Sequence, residues 1–168
     1  MASRPSKAFR IADRRHPIFD GTGAFLSGAR WNSPGRRIIY AAETFAGAML
    51  EMLAHTRTGK APRTQAWIEI SIPPRASIER VEPGELPGWD WEDSPEARQF
   101  GDGWHRRGRS LILIVPSVVT SGIGRNVLIN QDHPEFQSLK ASAPRRVLWD
   151  SRLILVDQHV PPNSGRDN

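Results

Sequence analysis

Strict alternation over Trp67–Ile72 most limits what this chain can become: Ile68, Ile70 and Ile72 point one way, and Trp67, Glu69 and Ser71 the other. A period of two marks a strand with one face in a core, and Pro73-Pro74 stops it. A half-buried strand needs partners, and the sequence supplies short apolar segments that read as strands at Lys7–Ala12, Arg37–Ala41, Ser110–Val115, Arg125–Asn130 and Arg152–Val156. Gly21, Gly23 and Gly28 mark a glycine-rich loop after the first of these. Only two segments carry a helical signature. Thr44–Thr56 places Phe45, Ala48, Met49, Met52 and Leu53 on one stripe, with Gly59 beyond its end. Ser94-Pro95-Glu96 is a helix start, with Ser at the cap and Pro at the first helical position, followed by Ala97, Phe100 and Trp104. Strands outnumber helices and the helices are not regularly interleaved, which predicts an α+β fold with a mostly antiparallel sheet.

A chain of 168 residues suits one domain, expected over residues 1–160, with a short tail at 161–168 that begins in a Pro-Pro-Asn-Ser-Gly run. The longest uninterrupted apolar run, Leu111–Val115, is far below a membrane span, and no secretory signal is visible, so the expectation is a cytoplasmic protein with no membrane association. The absence of cysteine excludes disulfides and Cys-based zinc sites or nucleophiles. The five His show no metal-binding spacing, and no phosphate-binding loop, dinucleotide fingerprint or nucleophile elbow occurs. No metal is therefore expected.

The net charge of +5 is unevenly spread, with eight basic residues against Asp13 and Asp20 in residues 1–40. Twenty of the 23 basic residues are Arg, the side chain suited to planar, bidentate recognition of phosphate or carboxylate. An anionic ligand fits this quarter of the chain, as does a nucleic acid. Against the nucleic-acid reading, Glu79–Asp102 carries eight acidic residues and two Arg.

Several polar residues sit in apolar or tightly turning sequence. Arg30 and Asn32 lie in Gly28-Ala29-Arg30-Trp31-Asn32, where Arg30 is either a guanidinium fork beside an aromatic wall or an exposed residue of a hairpin. Arg10 on the first strand projects into a cleft or into solvent. Glu51 lies about 130° from the centre of its helix's apolar stripe, so it is not a core residue, and His55 shares its flank. Tyr40, the only Tyr, ends an apolar strand. Ser117 places one hydroxyl inside an apolar run, and Asn126 and Asn130 share one face of their strand. Each is a ligand contact or a structural hydrogen bonder.

Taken in order, Phe9-Arg10, Gly28–Asn32, Ile39-Tyr40-Ala41, Leu50-Glu51 with His55, Gly101-Asp102 with Trp104, Val115-Pro116-Ser117, and Asn126 through Asn130 to His133-Pro134 resemble the RES-domain family of bacterial toxins. Ala29 stands where that family commonly has a second glycine. The resemblance implies an ADP-ribosyltransferase-like fold and a toxin that consumes NAD⁺ as its substrate. NAD⁺ is then cleaved at the nicotinamide–ribose bond by hydrolysis or phosphorolysis, or its ADP-ribose is transferred to a host protein. It implies catalytic roles for Arg30, Tyr40, Glu51 and Ser117, and NAD-binding roles for Arg10, Asn32, His55 and Asn126. It also implies an Xre-like antitoxin partner that blocks the NAD pocket in a hetero-oligomeric complex, with DNA contacted only through that antitoxin.

Overall fold

A computed structural model describes residues 4–56 and 64–153. Eight strands and three helices follow the order β1 (Lys7–Asp13), α1 (Thr22–Ser27), β2 (Ile38–Ala42), α2 (Phe45–His55), β3 (Gln65–Ser71), β4 (Ile78–Arg80), α3 (Pro95–Arg107), β5 (Ile112–Pro116), β6 (Arg125–Asn130), β7 (Lys140–Ala141) and β8 (Arg145–Arg146). The strands form one sheet in the order β4-β5-β6-β2-β1-β3-β7, with β8 also on β3. Every pairing is antiparallel except β4 with β5. This is the expected α+β architecture.

Strands β1 and β2 meet at a single residue pair, Phe9 with Ala42, whereas β1 pairs with β3 along its whole length. The sheet is thus two half-sheets joined at a narrow seam. Period-two alternation sends Ala8, Ile68 and Ile70 of one half and Ile39, Ile112, Ile114, Val127 and Ile129 of the other into one shared apolar cluster. Each of these isoleucines contributes about 1.5–3 kcal/mol by leaving water. The opposite face carries the helices. Ala48, Met49 and Met52 of α2 pack on Phe9, Ile11, Ala42 and Trp67. Ala97 and Trp104 of α3 pack on Ile38, Leu113, Val115 and Leu128.

Two sequence expectations change. The glycine-rich loop contains the six-residue helix α1, which lacks a side-chain cap and ends at Gly28, whose φ of 68° suits glycine. The strand expected at Arg152–Val156 begins instead in a 3₁₀ turn, Ser151–Leu153, and the rest lies outside the described residues. The expected tail at 161–168 also lies outside them.

Candidate functional site

Helix α2 sets the position of Glu51. Thr44 caps it by accepting from the Gly47 N–H at 3.0 Å, and its apolar stripe rests on β1, β2 and Trp67. Phe45 lies 5.0 Å from Trp67 and 6.0 Å from Phe9, ring centre to ring centre, which fixes the rotation of the helix. Glu51, off that stripe, reaches the end of the β5–β6 hairpin. There the Ser117 hydroxyl donates to Glu51 Oε1 at 2.8 Å, and Asn126 Nδ2 donates to the same oxygen at 2.6 Å. Ser117 is buried just past β5, and the turn that follows it is closed by Ser117 N–H to Gly124 O (3.0 Å) and Gly122 N–H to Ser117 O (2.8 Å).

Both donors to Glu51 are neutral. Among the described residues Glu51 has no ion-pair partner, and its Oε2 accepts no hydrogen bond. A carboxylate held this way is oriented without being neutralised, so its charge remains available to a developing cation. A cavity of about 180 Å³ lies alongside, lined by Gly47, Leu50, Ser117, Thr120, Arg125 and Asn126 among others. That is the scale of a single six-membered ring. The Asn126 Oδ1 is buried with no hydrogen-bond partner among the described residues.

Tyr40 stands on the same sheet face. Ala42 pairs with Asn126 and Tyr40 with Leu128, so Tyr40 and Asn126 are diagonal neighbours. The Tyr40 hydroxyl donates to Asn32 Oδ1 at 2.7 Å and accepts from the Trp31 N–H at 3.3 Å. Burial pushes the phenol above its ordinary range, which keeps the hydroxyl protonated and donating. Asn32, expected to bind the ligand, is fully buried and gives Nδ2 to the carbonyls of Ala24 (3.1 Å) and Ser33 (2.9 Å). Its side-chain polar atoms thus bind Ala24, Ser33 and Tyr40.

Arg30 sits at the tip of that turn, closed by paired backbone bonds between Ala29 and Asn32 at 2.9 and 3.2 Å. Trp31 beside it is buried, edge-on to Phe100 at 6.3 Å. Ala29 has no positive φ, which is why alanine serves where a second glycine is common. Helix α3 seats the turn: Gly101 lies against the Trp31 carbonyl, and Asp102 Oδ1 accepts from the Ser33 N–H at 2.9 Å. Arg30 Nη1 donates to the carbonyls of Trp89 (3.2 Å) and Trp91 (2.5 Å). Its Nε and Nη2 have no partner among the described residues, which leaves one edge of the guanidinium for an anion.

Arg10 is placed differently from expectation. It shares the inward face of β1 with Ala8 and Ala12, and it donates to the carbonyls of Ile18 (2.7 Å), Tyr40 (2.7 Å) and Asp20 (3.5 Å). Burial lowers its pKa to about 10, against a smaller opposing pull from Asp20. The guanidinium ties β2 to the segment before α1. His55 is exposed, and its Nδ1 lies 3.1 Å from the Glu51 backbone carbonyl, so the ring does not touch the carboxylate. Asn130, at the other end of β6 from Asn126, is buried and accepts from the Asp132 N–H at 3.0 Å. The carbonyls of Trp89 and Trp91 were not identifiable from sequence, because a backbone acceptor leaves no residue-type signal.

The geometry joins Glu51 to Ser117 and Asn126, sets Tyr40 beside them on the sheet, and gives Arg30 a separate, braced turn. Residues 7–150 match the RES domain family. The chain is 40% identical over 138 residues to the "Prs ADP-ribosylating toxin" of Sphingobium sp., covering 80% of this chain and 85% of that protein. It is 35% identical over 137 residues to "Toxin Res" of Pseudomonas putida, covering 80% and 91%. Among solved structures it is similar to the crystal structure of the M. tuberculosis MbcT–MbcA toxin–antitoxin complex, with a TM-score of 0.67, 16% identity and 84% of each chain covered. The last likeness is one of fold alone. With nearly its whole described length matched, the chain belongs to the RES domain family.

Proposed function

We propose that this chain is the toxin of a toxin–antitoxin pair and that it breaks the nicotinamide–ribose bond of NAD⁺. The observation that carries the chemistry is the Glu51 carboxylate, held by two neutral donors on one oxygen and by no cation among the described residues. As the bond from the anomeric carbon to the pyridinium nitrogen breaks, its electron pair goes to nitrogen and nicotinamide leaves neutral. Positive charge then spreads over the anomeric carbon and ring oxygen, the kind of transition state that carboxylates stabilise in glycosidases. Ser117 and Asn126 fix Glu51 so that no reorganisation is needed when that charge appears. Water then adds to the anomeric carbon and loses a proton, giving ADP-ribose. The open edge of Arg30 suits the pyrophosphate, and the Tyr40 ring, locked through its hydroxyl, suits a wall for nicotinamide.

Support for the toxin reading comes from the relatives named as toxins and from the fold shared with a protein crystallised with its antitoxin. The partner on this reading is an Xre-like antitoxin that occupies the NAD⁺ site. A second reading, transfer of ADP-ribose to a protein side chain, is favoured by the name of the Sphingobium relative. It breaks the same bond and differs only in acceptor. Incubating the protein with NAD⁺, with and without phosphate, and weighing the products separates these cases. Free ADP-ribose means hydrolysis, ADP-ribose-1″-phosphate means phosphorolysis, and an added ADP-ribose mass on a protein means transfer. Intact NAD⁺ under all conditions overturns the proposal.

A further inference from the structure

We propose that Trp89 is a positioning residue that holds the Arg30 turn in register with the Ser117–Asn126 end of the β5–β6 hairpin; the assignment rests on the NAD⁺-cleaving reading above. The two parts of the site come from elements far apart in sequence, and the segment Glu82–Trp91 runs between them. At the hairpin, Glu82 Oε2 pairs with Arg125 Nη2 at 2.7 Å, and the same Arg125 donates through Nη1 to the Gly122 carbonyl. Arg125 is the residue before Asn126 and pairs with Pro116 across the ladder, so this contact grips the strand that carries the Glu51 donor.

Trp89 is buried, and the Cζ2–Cη2 edge of its indole faces Gly122. A Cβ at Gly122 would fall 3.1 Å from Trp89 Cζ2, and the φ of 79° there also calls for glycine. The carbonyl of the same Trp89 accepts from Arg30 Nη1 at 3.2 Å. One residue thus touches both halves, the hairpin turn through its ring and Arg30 through its backbone. A tryptophan has only two side-chain torsions, so a buried indole sets a nearly fixed distance between ring edge and carbonyl. The Trp91 carbonyl accepts from the same Arg30 nitrogen, and two acceptors on one Nη1 fix the plane of the guanidinium. The Nε–Nη2 edge is then oriented before an anion arrives, which reduces the entropic cost of binding it.

Trp89 also belongs to the apolar cluster of Trp31 and Trp104, so simple core filling is the competing account. Coupling to Arg30 distinguishes the two. With NAD⁺ loss as the assay, Trp89→Ala should lower kcat/KM by about 10- to 100-fold, chiefly through KM, as expected for a displacement near 1 Å. Trp89→Phe, whose smaller ring lacks the Cζ2 and Cη2 atoms that meet Gly122, should fall between Trp89→Ala and wild type. In an Arg30→Ala background, Trp89→Ala should cost less than about a further twofold, because its effect is routed through Arg30. Equal losses in both backgrounds, as core filling gives, would overturn the assignment. If Trp89→Ala does not fold, Glu82→Gln replaces it in the same cycle. A loss of about threefold that disappears with Arg30→Ala supports the bridge, and an additive loss or no loss overturns it. Wild-type protein that leaves NAD⁺ intact would overturn the reading of the site and this assignment with it. An active wild type with additive variants overturns the assignment alone.

Discussion

Gly101→Ala should destabilise the protein although alanine is the better helix former. In an exposed helix interior the change adds roughly 0.5–1 kcal/mol of stability. At Gly101 the new Cβ would stand 1.8 Å from the Trp31 carbonyl oxygen and 2.8 Å from its carbonyl carbon, where real Cβ contacts stay beyond 3.0 Å. The obstacle is backbone, and that backbone is pinned: Trp31 N–H binds Tyr40, and both polar groups of Asn32 are engaged. Helix α3 must therefore move away by more than 1 Å, which stretches the 2.9 Å bond from Ser33 N–H to the Asp102 carboxylate. Overpacking costs about 1–3 kcal/mol, and a lost hydrogen bond to a charged group about 1.5–3 kcal/mol. After the propensity gain, the net loss is roughly 2–4 kcal/mol, or a Tm lower by about 5–15 °C for a chain of this size. Gly103, two residues on, is the internal control. A Cβ there meets only the flexible end of Arg107, so Gly103→Ala should hold or raise Tm. Thermal unfolding of the two variants decides the matter. A Gly101→Ala Tm at or above that of wild type would show that α3 is not seated on the Trp31 carbonyl.

Arg10→Met should lose about 2–4 kcal/mol of stability in urea unfolding, because carbonyls of Ile18, Tyr40 and Asp20 lose their donor. Arg10→Lys should recover little of it; unchanged stability with abolished NAD⁺ turnover would instead make Arg10 a ligand group. Burial lowers the His105 pKa, with Asp132 opposing in part, so the unfolded chain takes up this proton before the folded one. Stability should therefore fall as pH drops below about 6.5, and His105→Gln should flatten that limb of the stability–pH curve; an unchanged limb would contradict it. An antitoxin that occupies the NAD⁺ site should show an apparent Kd that rises in proportion to NAD⁺ in equilibrium titration. No dependence on NAD⁺ would rule out occupation of the site.

Local signals carried most of the fold. The Thr44 cap and the stripe from Phe45 to Met52 define α2, and the alternation after Trp67 defines β3. Helix α1 was hidden because Gly23 inside it and the lack of a side-chain cap argue against a helix, and its six residues are too few for a period to register. Strand β4 is three partly buried residues, too short for a period to register. Glu51 was visible as an acid off its helix's apolar stripe, and Ser117 as a hydroxyl in an apolar run. Their meeting was not, since Glu51 lies 66 residues from Ser117 and 75 from Asn126. Arg10 shows the limit most clearly. The sequence leaves Arg10 open to a cleft or to solvent, and only the inward face it shares with Ala8 and Ala12 leads it to the carbonyls of Ile18 and Tyr40.

On the proposed function, the Glu51 charge stabilises the positive charge that develops as the nicotinamide–ribose bond breaks. Glu51→Gln keeps the size and an oxygen able to accept from Ser117 and Asn126 while removing that charge, so folding should be preserved. NAD⁺ consumption at saturating NAD⁺ by wild type and by Glu51→Gln, each shown to be folded by its thermal transition, is the direct test. The kcat of Glu51→Gln should fall at least about 10²-fold, the scale lost when a preorganised electrostatic group is removed. A folded Glu51→Gln protein that consumes NAD⁺ at close to the wild-type rate would contradict it.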